Sequence, residues 1–276
     1  MKRDLKLAEG VDWSIHIEWL ESRTVVASLN ADQERRVASV PKLALLAACA
    51  KGVADGWLDL DEHLDRRNVE RVGDSGLWQH LRRDTLAVDD VATLIGVASD
   101  NLATNVLLAR IGLGNVRATS ETLGLGSVSL HDRVRDVRLP EHADTLGTAT
   151  MHALSTLMGR IASDKLGDAG VGERVEGWLK NSLDLSMVAA AFDLDPLSHA
   201  SGHSGPLLVN KTGTDTGVRA DTGYIRTAGS TLIYAAAANW DPTEVPTSQV
   251  MCGMRAIGLV AKQELERQVA DVGPGT

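Results

Sequence analysis

Strand-like segments stand at both ends of this chain, and helical ones fill the long interval between them. "WSIHIEWLES" (13–22) alternates Ile15, Ile17 and Trp19 with polar neighbours, and "TVVASLN" (24–30) is rich in β-branched residues. The short polar join between them predicts a hairpin. β signals return only late, in "LLVNKTG" (207–213), "DTGYIRTA" (221–228) and "STLIYAAAAN" (230–239). From 42 to about 190 the pattern is mostly helical, with separate helices expected at 88–99, 101–112, 115–126, 148–163 and 172–183. An amphipathic helix, "GMRAIGLVAKQELERQV" (253–269), closes the pattern. Strands so far apart in sequence find partners most simply in one sheet. The expected fold class is therefore α/β plus an all-α lobe. An antiparallel sheet, flanked by terminal helices, would be built from 1–38 and 190–276, with a helical lobe, 39–189, inserted into it. A cleft between two such lobes is a favoured place for a small-molecule site.

Composition narrows the partners. Lys plus Arg number 28 against 37 Asp plus Glu, a formal net charge of -9. That argues against a nucleic-acid partner held by overall positive charge. No apolar run approaches the ~18 residues of a membrane span. Asp4, Lys6 and Glu9 interrupt any apolar stretch after Lys2 and Arg3, so no signal peptide is read and a cytoplasmic location is expected of the chain as it stands. The only cysteines, Cys49 and Cys252, are far apart and form no C-x-x-C. Neither a disulfide framework nor a zinc site is expected, and no cofactor is called for. His199 and His203 have i,i+4 spacing, but "SHASGHSG" is glycine-rich and offers no third ligand, so it reads as a loop. His152 reads as a packed or partly exposed helix residue.

The chemistry starts at "ASVPKLALLAACA" (38–50), an apolar run that reads as a buried helix. Ser39 and Lys42 stand at i and i+3, on one helix face. Two readings are open. Ser39 is a preferred N-cap residue. It is also a nucleophile in need of a base, and a neutral, desolvated lysine one turn away can be that base. Pro41 is tolerated in the first turn, where N–H groups have no helical partner.

Two later tripeptides shift the balance. "ASDNLATN" contains Ser99-Asp100-Asn101, and "VNKTGT" contains Lys211-Thr212-Gly213 on a predicted strand. Either alone occurs by chance in a few per cent of chains this long; both, in order, after S-x-x-K are roughly a one-in-a-thousand coincidence. The trio S-x-x-K, S-D-N and K-T-G marks class A β-lactamases and penicillin-binding proteins. Ser39 and Ser99 are 60 residues apart, as in class A enzymes. From about 13 to about 269 the chain resembles a class A β-lactamase-type serine hydrolase.

The resemblance implies roles. Ser39 would attack an amide carbonyl and Lys42 would help deprotonate it. Ser99 would relay a proton to the leaving nitrogen, with Lys211 holding its hydroxyl. Asn101 would bind the substrate's side-chain amide, and Lys211 with Thr212 its carboxylate. Backbone N–H groups of Ser39 and Thr214 would form the oxyanion hole. Asp100 reads as structural. Arg219 reads equally as a second guanidinium for the carboxylate or as a surface arginine. The implied substrate is a small molecule, a β-lactam or a related amide or ester bearing a carboxylate.

One departure stands out in "LHDRVRDVRLPEHADT" (130–145). Counted from S-D-N, Asp132 and Arg133 fall on the family's Asp-Arg, and Arg135 falls where a glutamate activates the deacylating water. A guanidinium cannot deprotonate water. Asp136, Glu141 or His142 could substitute, but each reads more readily as an exposed loop residue, since a base must first meet the geometry. Asn105 resembles the asparagine that braces the absent glutamate. Two function classes follow: an acyl-transferring hydrolase, either a working β-lactamase or a slow penicillin-binding peptidase or esterase, and a non-catalytic binding protein that keeps the cleft.

Overall fold

The computed structural model describes residues 5–195, 205–227 and 229–272. His199 and His203 lie outside the described residues. The first two strands, β1 (Val11–Trp19) and β2 (Val25–Leu29), form the expected hairpin, with Arg23 at φ 55° in its turn. Strand β1 pairs antiparallel with the last strand, β10 (Ser230–Trp240), from Val11↔Trp240 to Trp19↔Leu232. Next come β9 (Val218–Thr227) and β8 (Leu207–Asp215), so the five-stranded order is β2-β1-β10-β9-β8. The ends of the chain thus meet in the middle of one antiparallel sheet, and β8 is left as an edge.

Both faces of this sheet are covered. Ile15, Ile17, Leu232, Tyr234 and Ala236 pack outward against Val250, Met254, Ile257 and Ala261 of α7 (Thr247–Val272) and a 3-10 turn at Val188–Phe192. The alternate residues of β1 are polar, yet they do not face water. Ser14, His16 and Glu18 are buried. Each is met by a polar or aromatic group from outside the five-stranded sheet. Arg35 Nε donates to Ser14 Oγ at 3.0 Å, Ser155 Oγ donates to Glu18 Oε1 at 2.6 Å, and the His16 ring stacks on His152 at 5.2 Å. Ser155 and His152 belong to α5 (Met151–Ala162), which lies across the inner face.

The second core surrounds α1 (Lys42–Ala54). From Leu43 to Ala50 every residue is at most 1 % exposed. A helix apolar all round has no solvent face, and its alanines let neighbouring helices approach closely. Around it lie α2 (Val88–Ala98), α3 (Asn101–Ile111), α4 (Leu113–Thr122) and α6 (Val171–Leu179).

The interval from 42 to 190 is less helical than the sequence suggests. Short strands β4 (His63–Asp65) and β5 (Thr85–Ala87) pair with each other, and β3 (Arg35–Arg36), β6 (Ser129–Leu130) and β7 (Gly147–Ala149) form a three-stranded patch. Strand β7 occupies the start of the segment expected to be helical from 148, and Thr150 then caps α5 by accepting from Ala153 N at 3.2 Å. Among the described residues no helix is long and apolar enough to cross a membrane. Cys49, buried in α1, and Cys252, exposed on α7, are free thiols.

Candidate active site

Ser39 does not cap α1. The chain enters the helix through successive tight turns, with Val40 N donating to Val37 O at 3.1 Å and Lys42 N to Ser39 O at 3.3 Å. The N-cap position falls to Pro41, and no side chain caps it. The expectation that Ser39 opens its own helix is therefore corrected: it sits two residues earlier, half-buried, with its side chain free of the capping role. Ala38 just before it has φ 47°, a left-handed conformation that costs a non-glycine residue about 1–3 kcal/mol.

Lys42 is completely buried, and its Nζ donates to Ser99 O at 2.7 Å and Asn101 Oδ1 at 2.8 Å, with Ser99 Oγ at 3.5 Å. Burial holds its ammonium well below the ordinary lysine range, and the nearby Lys211 lowers it further, against the opposing pull of Asp100 and Asp74. Ser99 ends α2 in the left-handed region (φ 53°, ψ 32°), which reverses the chain between α2 and α3. Its Oγ accepts from Lys211 Nζ at 2.8 Å. The Ser99 hydroxyl thus lies between two buried amines.

Asp100 is the keystone of this turn. One carboxylate oxygen accepts from Ala103 N at 2.8 Å, capping α3; the other accepts from Leu77 N at 2.7 Å and Trp78 N at 2.8 Å. Gly76 lies against it at φ 128°, where a Cβ would come within 2.4 Å of Asp100 Cγ. Asn101 completes the join by donating from Nδ2 to Gly73 O at 3.3 Å.

The third motif arrives on the edge strand. A Cβ on Gly213 would sit 2.1 Å from Val37 O and 3.1 Å from Ser39 N. Only glycine lets β8 lie this close to the backbone before Ser39, and Thr214, the next residue of the strand, lines the same cleft as Ser39. Lys211 Nζ also donates to Thr212 O at 2.8 Å. Burial pulls its ammonium down to about 8, while Asp184 and Asp221 hold it up.

Ser39, Ser99, Asn101, Lys211, Thr212 and Thr214 line one cleft of about 840 Å³ between the sheet edge and the helical lobe. Asp74, Asp184 and Asp215 line it too, and sequence reasoning passed over them. Asp74 sits in "GDSGL", which reads only as a turn, so nothing short of the fold could place it. Arg219 is not among the lining residues. Its NH1 donates to Asp215 O at 2.9 Å and Val218 O at 2.8 Å, and its guanidinium lies 5.7 Å from the Trp240 ring centroid.

The loop after β6 is organised by arginines. Arg135 Nε donates to Asp132 Oδ2 at 2.7 Å, and Arg138 NH1 donates to the same oxygen at 3.1 Å. Burial alone would raise the Asp132 carboxyl, but the hydrogen bonds from Arg135 and Arg133 N hold it below its usual range. Asn105 braces the backbone of Val134, donating to its O at 2.9 Å and accepting from its N at 2.8 Å. Arg135, Asp136 and Arg138 line the cleft; Glu141 and His142 do not. Both Asp136 oxygens accept from Gly73 N, at 3.0 and 3.3 Å. Glu141 is exposed, and His142 Nδ1 accepts from Leu139 N at 3.0 Å.

A family model described as "Beta-lactamase enzyme family" matches residues 1–263. Among solved structures, a beta-lactamase from Sphaerobacter thermophilus superposes with a TM-score of 0.80 at 22% identity, covering 96% of this chain and 94% of that one. PBP-A superposes with a TM-score of 0.75 at 21% identity, covering 95% and 93%. A point variant of PBP-A, solved as an acyl-enzyme complex with penicillin G, gives 0.74 at 21% identity, covering 94% and 92%. No curated protein matches the sequence significantly.

Proposed function

The chain belongs to the beta-lactamase enzyme family, and we propose that its cleft transfers an acyl group from a β-lactam, or a related amide or ester bearing a carboxylate, to Ser39. The observation that carries this reading is the Ser99 hydroxyl held between Lys42 and Lys211 on the wall of the cleft that Ser39 lines. A neutral Lys42 amine has two N–H groups and one lone pair. Its N–H groups are taken by Ser99 O and Asn101 Oδ1, which leaves the lone pair to accept a proton. Ser39 Oγ attacks the carbonyl carbon as its proton passes to Lys42. The oxyanion is met by the N–H groups of Ser39 and Thr214. As the carbon–nitrogen bond breaks, the leaving nitrogen takes a proton from Ser99 Oγ, which is replenished from Lys42. Lys211, Thr212 and Thr214 receive the carboxylate.

Hydrolysis of the acyl-enzyme is the slow half of the proposed cycle. Water must add to the ester carbon and give up a proton. The loop facing the cleft offers Arg135 and Arg138, which cannot accept one. Asp136 is in the cleft, where Gly73 N holds its carboxylate against the 73–77 turn, and no hydrogen bond aims it at Ser39. Stopped-flow mixing with a chromogenic cephalosporin is expected to show a burst of one product per enzyme, followed by a much slower steady rate. Fast, linear turnover from the first point would refute slow hydrolysis; no product at all would refute acylation.

A further inference from the structure

Lys211 carries a charge that its immediate contacts do not balance. It is 1 % exposed, and its Nζ donates to two neutral oxygens, Ser99 Oγ and Thr212 O. A buried cation persists only where an opposite charge shares its low-dielectric surroundings. The neighbouring Lys42, a neutral amine, supplies no opposite charge, and Asp184 stands on the cleft wall. Asp184 supports Lys211 more strongly than any other carboxylate, yet it is half-exposed, so dissolved ions screen it.

Behind the edge strand lies a carboxylate that salt cannot reach. Asp221 of β9 is 1 % exposed and is the register partner of Thr212, the residue after Lys211. Its Oδ1 accepts from Asn210 Nδ2 and Tyr234 OH, both at 3.1 Å; its Oδ2 accepts from Val188 N at 3.0 Å and Ala189 N at 3.3 Å. Four donors turned on a carboxyl cut off from water suit the ionised form. Asn210, the residue before Lys211, also donates from Nδ2 to Asp184 O at 3.2 Å, so one amide ties both aspartates to β8. Burial nevertheless pushes the Asp221 carboxyl up to about 7, so it and Lys211 titrate over neighbouring pH ranges. Tyr234, its phenol raised well above the ordinary range by burial, stays neutral beside it.

We propose that Asp221 is a positioning residue for acyl transfer: from behind β8 it serves as the buried counter-charge that keeps Lys211 an ammonium against the Ser99 hydroxyl. This rests on the reading of Lys211 as the group that holds Ser99 for protonating the leaving nitrogen. Removing the negative charge weakens the ammonium, so Lys211 loses its proton at lower pH.

The test is the acylation rate with benzylpenicillin, followed by intact mass from about pH 6 to about pH 10. In wild type the rate falls on the alkaline side as Lys211 deprotonates. In Asp221→Asn that limb moves down by about half a pH unit or more and stays moved at high salt. In Asp184→Asn the displacement shrinks at high salt. Tyr234→Phe, which deletes one donor to Asp221 and spares the buried charge, shifts the limb the same way by less and serves if Asp221→Asn does not fold. A merely structural Asp221 would lower the rate and leave the limb in place; a limb unmoved at high salt overturns the proposal. If benzylpenicillin does not acylate wild type, the proposed function fails. Unfolding of Asp221→Asn, Lys211→Met and the double variant then decides this inference. The two changes are expected to be non-additive, the double variant losing less than the sum of the singles, and strict additivity overturns it.

Discussion

Replacing Lys42 with Met is expected to slow acylation of Ser39 by about 10²–10⁴-fold, the usual worth of a positioned general base. The expectation follows from where the amine sits. It is fully buried, and its two acceptors, Ser99 O and Asn101 Oδ1, fix its direction. Burial keeps it from holding a proton as an ordinary lysine would. Met has a similar length and no lone pair basic enough to serve. Stability changes far less than rate. The variant leaves two acceptors unpaired, at about 1–3 kcal/mol each, but also relieves the cost of burying an amine beside Lys211. An intact-mass time course with benzylpenicillin, run beside a denaturant titration, separates the two effects. A variant that acylates at the wild-type rate would remove Lys42 from the mechanism.

Asp100→Ala is expected to produce the largest loss of stability among the motif residues, about 3–5 kcal/mol. Three backbone N–H groups, of Leu77, Trp78 and Ala103, depend on its carboxylate, which is 1 % exposed. Cutting them loose uncaps α3 and frees the 73–77 turn that carries Asp74 into the cleft. Ser99 and Asn101 flank the lost anchor, so acylation falls with stability. A lowered midpoint of urea unfolding with an unchanged slope is the predicted signature. A loss below about 1 kcal/mol would mean that the turn holds itself without Asp100.

The sheet was legible because its strands carry β-branched and alternating residues, and because strands at 13–22 and 230–239 had few other partners. The cleft residues were legible through a motif whose members meet only in three dimensions: Ser39 on one turn, Ser99 on another, Lys211 on a sheet edge. What stayed hidden has physical reasons. Ser39 looks like a cap because serine caps helices, but Pro41 holds that position instead. The segments at 66–84 and 123–146 are held by side-chain bonds to backbone, such as Arg66 NH2 to Leu81 O at 3.1 Å, and these leave no periodicity to read. Arg219 and Glu141 were open candidates by position alone, and neither is among the residues that line the cleft. Asp221 stayed hidden because its segment reads as an ordinary strand. A carboxylate in the run "RADTGYIRT" was the available signal, since a strand buried on both faces rarely carries one without a partner.

Ser39 is expected to form a covalent ester with the substrate's amide or ester carbonyl carbon, not with its carboxylate, and to keep it. The most direct measurement is the intact mass of the protein after incubation with benzylpenicillin, with peptide mapping and a Ser39→Ala control. The predicted result is a gain of one intact ligand mass per chain, located on Ser39, persisting after free ligand is removed and absent from the control. No mass gain together with no turnover, or an adduct of equal extent in Ser39→Ala, would contradict it.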